Sequence, residues 1–141
     1  MAARQALRSL RDLVSSFRQP TLAEELDAAS SLLEASGIEC SVESRPAALS
    51  PPVEAALAWA VREAGTNVLR HSGCRRCRFS VESSGDSVHL EVTDDGRGPE
   101  RFELGSGLRG LEERATFLGG RLTASRATGG GFQLRVDIPC A

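Results

Sequence analysis

The chain has 141 residues, 40% of them hydrophobic, enough for one domain with a core and too little for two ordinary ones. Its 17 basic residues against 19 acidic ones leave a formal net charge of −2, far from the positive footprint that counterion release on nucleic acid demands, so no nucleic-acid partner is expected. No run of about 18 apolar residues is present and the N-terminus lacks a signal-peptide core, so the expected setting is the cytoplasm, with no membrane contact by this chain.

Residues 3–17 place Ala3, Leu7, Leu10, Val14 and Phe17 at alternating spacings of four and three. This is a coiled-coil-like seam on an Arg-rich helix, fit either for a homodimer through residues 3–17 or for packing on its own domain. Pro20 ends it. Thr21 with Glu24 reads as a capping box that opens a second helix, with Leu22, Leu26, Ala29 and Leu33 on one face and Gly37 as its C-cap. A short strand over 38–44 follows. Ser50 before Pro51 and Pro52 marks the start of a helix running to His71, where Ser72-Gly73 stops it.

Residues 76–82 and 87–93 alternate around Ser84-Gly85-Asp86, the pattern of an antiparallel hairpin. Leu108, Leu111, Ala115 and Leu118 have helical spacing up to Gly119-Gly120. Strands over 121–127 and 131–138 then meet at Gly129-Gly130-Gly131. The order of elements predicts an α+β fold: a two-layer α/β sandwich with a mixed, mainly antiparallel sheet and helices on one face, preceded by an N-terminal helix.

There is no lysine and no tyrosine in the chain. A P-loop, a eukaryotic-type protein kinase and a Schiff-base enzyme each need a lysine, so any nucleotide is handled by another architecture. Of the four cysteines, Cys74 and Cys77 follow His71 as H-x-x-C-x-x-C, and His89 is available as a fourth zinc ligand. Against that stands Cys77 as a small buried residue of a strand, with Cys74 incidental.

On the helix from residue 51, Glu63, Asn67, Arg70 and His71 fall within an arc of roughly 100° beside the stripe Val53, Leu57, Ala60, Ala64 and Val68. Such an edge is either a site or a solvated polar face. As a site it offers a carboxylate to ready a nucleophile, an amide oxygen suited to Mg²⁺, and donors for phosphate. Asp94-Asp95-Gly96-Arg97-Gly98 ends a strand, where an aspartate can accept from an exocyclic amine and glycines admit a close ligand. Gly105-Ser106-Gly107-Leu108-Arg109-Gly110 opens a helix whose free N–H groups suit phosphate. Its match to a dinucleotide fingerprint is rejected, because no strand directly precedes it.

Arg62 to Ser72 resembles the N box of the GHKL ATPase superfamily, Asp94 to Gly98 its D-x-G-x-G block, Gly105 to Leu108 its next glycine box, and Gly130 to Pro139 its ending. The order and the Gly-Leu-x-Gly-Leu-x-Glu-Arg wording are similar to the catalytic domains of sensor histidine kinases paired with LuxR-type response regulators. The resemblance implies a Bergerat-type ATP-binding catalytic domain over 37–141, with 1–36 a remnant of a dimerisation helix and linker helix. It implies ATP and Mg²⁺ as cofactors: Asn67 binds Mg²⁺, Arg70 and His71 contact phosphate, Asp94 accepts from adenine, and Glu63 is the catalytic carboxylate. Gly96, Gly98, Gly105, Gly107 and Leu108 form the cradle.

The implied activity is histidine protein kinase chemistry on a histidine outside this chain, in the histidine-bearing dimerisation segment of the same kinase, for relay to the regulator. The chain would then be cytoplasmic or the cytosolic part of a membrane-bound kinase. Alternatives are an anti-sigma-type serine kinase and a non-enzymatic nucleotide-sensing module. The resemblance departs at Phe132, where a threonine often stands, and in the short stretch Pro99 to Leu104 between the glycine boxes.

Overall fold

The computed structural model describes residues 20–96, 106–126 and 130–140, with His71, Ser72 and Ser106 described by backbone alone. The seam over residues 3–17, Gly98, Gly105 and the stretch 99–104 therefore lie outside the described residues. Helix α1 spans Leu22–Ala35, β1 Glu39–Arg45, α2 Pro51–Asn67, β2 Arg76–Ser84 and β3 Ser87–Asp94. Helix α3 spans Ser106–Phe117, β4 Arg121–Arg126 and β5 Phe132–Pro139.

Local chemistry sets the ends of these elements. Thr21 caps α1, its side-chain oxygen accepting from the Glu24 N–H at 3.1 Å. At the other end Gly37 adopts φ +84°, and the Ile38 and Gly37 N–H groups donate back to the Leu33 and Glu34 carbonyls at 2.9 and 3.0 Å, a Schellman turn. Helix α3 closes the same way, through Gly119 and Gly120 onto Thr116 and Ala115. Ser50 precedes α2 but its hydroxyl makes no capping bond, so the helix starts on the preset φ of Pro51 and Pro52.

The strands form one five-stranded sheet in the order β1-β2-β3-β5-β4. Only β1 and β2 run parallel; the other pairs are antiparallel. Alternation puts Cys77, Phe79 and Val81 of β2, Val88, Leu90 and Val92 of β3, and Leu134, Val136 and Ile138 of β5 on one buried face. The three helices among the described residues pack there, α1 beside β1, α2 over β3 and β5, and α3 over β4 and β5. The expected two-layer α+β fold is what the chain adopts.

Leu22, Leu26, Ala29 and Leu33 of α1 are buried in the same core as the sheet and α2. The helix that the resemblance assigns to a linker shares its packing with the residues beyond 37. The opposite sheet face is polar, with Arg78 to Glu43 at 2.8 Å and Arg135 to Asp137 at 2.9 Å, exposed pairs that each contribute little to stability. His89 stands on that face against Asp137, while Cys77 points into the core. They lie on opposite sides of the sheet, so His89 cannot complete a zinc site with Cys77.

Candidate functional site

Helix α2 does not run as an α-helix to His71. It ends at Asn67 and continues as one π-helical turn, Val68–Ser72, before Gly73 turns the chain at φ +58°. A π turn closes i→i+5 bonds, so Arg70 and His71 are rotated off the positions that α-helical spacing gives them. Glu63 and Asn67, one α-turn apart, keep their common edge, and both are half-buried. Arg70 is exposed.

Chain continuity brings this helix end to the end of β3. Only Gly73 to Arg75 separate the π turn from β2, whose second residue, Cys77, pairs with Asp94. Across β3 from there, Asp94 pairs with Phe132, the first residue of β5. Asp94 is only 5% exposed, an unusual place for a carboxylate. Its Oδ1 accepts from the Gly96 N–H at 2.8 Å, and no ion pair reaches it among the described residues. Burial pushes its pKa up, against the opposing pull of the Gly96 bond, and the neighbouring Asp95 charge adds to the rise.

Asp95 does a different job. Its Oδ1 accepts from the Arg75 and Arg76 N–H groups at 2.8 and 3.0 Å, and its own N–H donates to the Arg76 carbonyl at 3.2 Å. These donors hold its carboxyl below the usual carboxylate range. The first aspartate of the pair is a buried acceptor and the second a clip between β2 and β3. Gly131, at φ +124°, presses on the same corner: a Cβ there would stand 3.3 Å from Asp95 Cα and inside contact distance of the Asp94 carbonyl oxygen.

The second approach is between α2 and α3. A Cβ at Gly107 would stand 2.8 Å from the Glu63 Cδ and closer still to Oε2, so the first turn of α3 lies directly on the carboxylate. Leu108 anchors that turn in the core at 8% exposure. On its other side Glu63 Oε1 accepts from the Trp59 Nε1–H at 3.3 Å. Arg62, beside Glu63, turns away and pairs with the buried Glu25 of α1 at 2.7 Å.

The structure thus joins Glu63 to Gly107, and Asp94 to Gly96. Spacing alone missed Trp59, Asp95 and Gly131; the glycine before Phe132 was a signal only as part of the ending motif. Residues 53–141 match the family described as histidine kinase-, DNA gyrase B- and HSP90-like ATPase. The chain belongs to that family.

Among its relatives, the sensor histidine kinases YvfT and DesK of Bacillus subtilis are 34% and 35% identical over 97% of this chain. The chain spans 38% of the length of each. The nitrate/nitrite sensor protein NarQ of Escherichia coli is 31% identical over 99% of this chain and 27% of its own length. A histidine kinase domain from the blue-light activated kinase of Erythrobacter litoralis superposes with a TM-score of 0.73 at 26% identity, over 84% of this chain and 59% of that one. The ATP-binding domain of PrrB from Mycobacterium tuberculosis superposes at 0.66 with 25% identity, over 86% and 96%. The chain is an ATP-binding catalytic domain of the sensor histidine kinase type.

The residues fit a purine nucleotide. Asp94 is a buried acceptor with no cation beside it among the described residues, suited to a donor amine, and a Cβ at Gly107 or Gly131 would collide with Glu63 or with the Asp94–Asp95 backbone. No helix among the described residues is long and apolar enough to cross a membrane.

The Asp95 clip carries a stability test with a defined sign. A carboxyl whose folded pKa is depressed adds stability above its unfolded pKa and loses it as pH falls through the folded one. Asp95→Ala should lower unfolding free energy at neutral pH by about 0.5–1.5 kcal/mol, taken low because the group is exposed. The gap between parent and variant should close below about pH 4, as read by urea unfolding at several pH values.

Proposed function

We propose that this domain transfers the γ-phosphoryl group of ATP to a histidine carried on a separate, dimer-forming segment of the same kinase, for relay to a LuxR-type response regulator. The observation that carries the proposal is the buried Asp94, with no cationic partner among the described residues, on the strand beside the one that α2 leads into through its π turn. Asp94 would accept from the adenine amino group while Gly96, Gly98, Gly105, Gly107 and Leu108 line the phosphate path. Asn67 would offer its amide oxygen to Mg²⁺, with Arg70 and His71 donating to phosphate oxygens. Bound Mg²⁺ supplies charge neutralisation on the phosphate chain.

Glu63 would take the proton, or polarise the ring, of the incoming imidazole. As the N–P bond forms, the bond to the bridging oxygen breaks and ADP departs. The work of the protein is therefore positioning and electrostatics. Residues 1–36 fit the dimerisation and linker side of such a kinase, with the seam over 3–17 as a homodimer contact. The cytosolic side of a membrane-bound kinase is a setting consistent with this role.

Three measurements test the reading. Asp94→Asn should weaken Mg-ADP binding roughly ten- to a hundredfold in calorimetry, because a charge-assisted bond to a donor amine is lost. The fold should persist, since the amide oxygen can still accept from Gly96 and burial no longer penalises a charge. In Asn67→Ala, affinity measured in magnesium and in chelator should converge, which a residue without a metal role would not cause. Finally, γ-labelled ATP should give alkali-stable label on an added histidine-bearing segment and none on this chain. Label on this chain at a serine, or no nucleotide binding at all, would favour the serine-kinase or the sensing alternative.

A further inference from the structure

Trp59 lies one helical turn before Glu63 on α2, and its indole N–H is 3.3 Å from Glu63 Oε1. The carboxylate is thereby held between two walls, the indole on one side and the backbone of Gly107 on the other. The indole is itself braced by α3: the Arg114 guanidinium sits 4.3 Å above the ring centroid, and a Cβ at Gly110 would meet the ring edge at 3.9 Å. Every partner of Trp59 in this set belongs to α2 or to α3, the two elements that carry Glu63 and the glycine box.

A glutamate otherwise has three rotatable bonds, the last of them soft, so an unheld carboxylate spreads over many orientations. Resting on the reading that Glu63 readies the attacking imidazole, we propose that Trp59 is the positioning residue that aims it. The indole leaves Oε2 as the oxygen turned toward the α3 entrance and holds Oε1 by its N–H. It touches neither the adenine acceptor Asp94 nor the metal-ligating amide of Asn67 in this arrangement, so its action falls on transfer rather than on nucleotide affinity.

Two substitutions separate this role from packing. Trp59→Phe keeps an aromatic ring beneath Arg114 but removes the donor; Trp59→His places a ring N–H as many bonds from Cα as the indole Nε1. With the chain, γ-labelled ATP and an added histidine-bearing segment, Trp59→Phe should slow labelling about ten- to a hundredfold, the worth of one hydrogen bond to a charged group. Mg-ADP affinity should stay within about twofold of the parent, and Trp59→His should recover most of the rate.

An unchanged rate in Trp59→Phe overturns the proposal. So does an equal loss in nucleotide affinity, or a histidine variant no better than phenylalanine, since each marks Trp59 as packing alone. A parent chain that binds Mg-ADP but labels no added segment refutes the transfer reading and this assignment with it. Transfer that is intact in Trp59→Phe refutes only the assignment.

Discussion

A carboxylate buried at the end of a central strand governs the rest of this structure. Asp94 can sit at 5% exposure only because β3 lies between β2 and β5, with Cys77 and Phe132 in register on either side. Burial and the neighbouring Asp95 charge raise its pKa, against the opposing pull of the Gly96 bond. The fold tolerates this because neighbouring backbone groups are tied down: Gly96 donates to Asp94, and Asp95 gathers the Arg75 and Arg76 N–H groups where β2 begins. Asp94 thus keeps one backbone donor and, among the described residues, no cationic partner.

Helix α2 serves the core and the site at once. Its stripe of Val53, Leu57, Ala60, Val61 and Ala64 fills the space over the sheet. Along its edge Arg62 reaches back to Glu25 on α1, and Trp59 and Glu63 bond to each other beside α3. The buried Glu25 needs its arginine partner, so α1 is locked to the helix that carries the site. The π turn that follows is a further constraint, since it rotates Arg70 and leads through Gly73 into the strand that flanks Asp94.

The two faces of the sheet divide the chemistry. The helix side holds Asp94, Phe79 and the aliphatic core, whereas the other side carries exposed ion pairs and the contact of His89 with Asp137. His89 is therefore tied to a strand on the face away from Asp94 and Glu63, a position that separates it from the chemistry assigned to them. Glycine stands at 107 and 131 because a Cβ there would collide with the Glu63 carboxylate and with the Asp94–Asp95 backbone.

Most of the architecture was legible in the sequence because it rests on local rules. Period-2 alternation located β2, β3 and β5, Thr21 and Gly37 marked both ends of α1, and the double proline marked the start of α2. The ordered boxes point to Glu63, Asn67, Asp94 and Gly107 by family resemblance. What the sequence could not show is everything that depends on two distant segments meeting. Helical spacing predicts one continuous α-helix to His71, yet the chain takes a π turn whose different hydrogen-bond closure no residue pattern announces. Asp94 and Asp95 are chemically identical neighbours, and only the pairing of β2 with β3 buries one and makes the other a clip. No pattern in the sequence marks Trp59; its brace by α3, with Gly107 on the Glu63 carboxylate and Arg114 over the ring, joins segments about fifty residues apart and exists only once the core has packed.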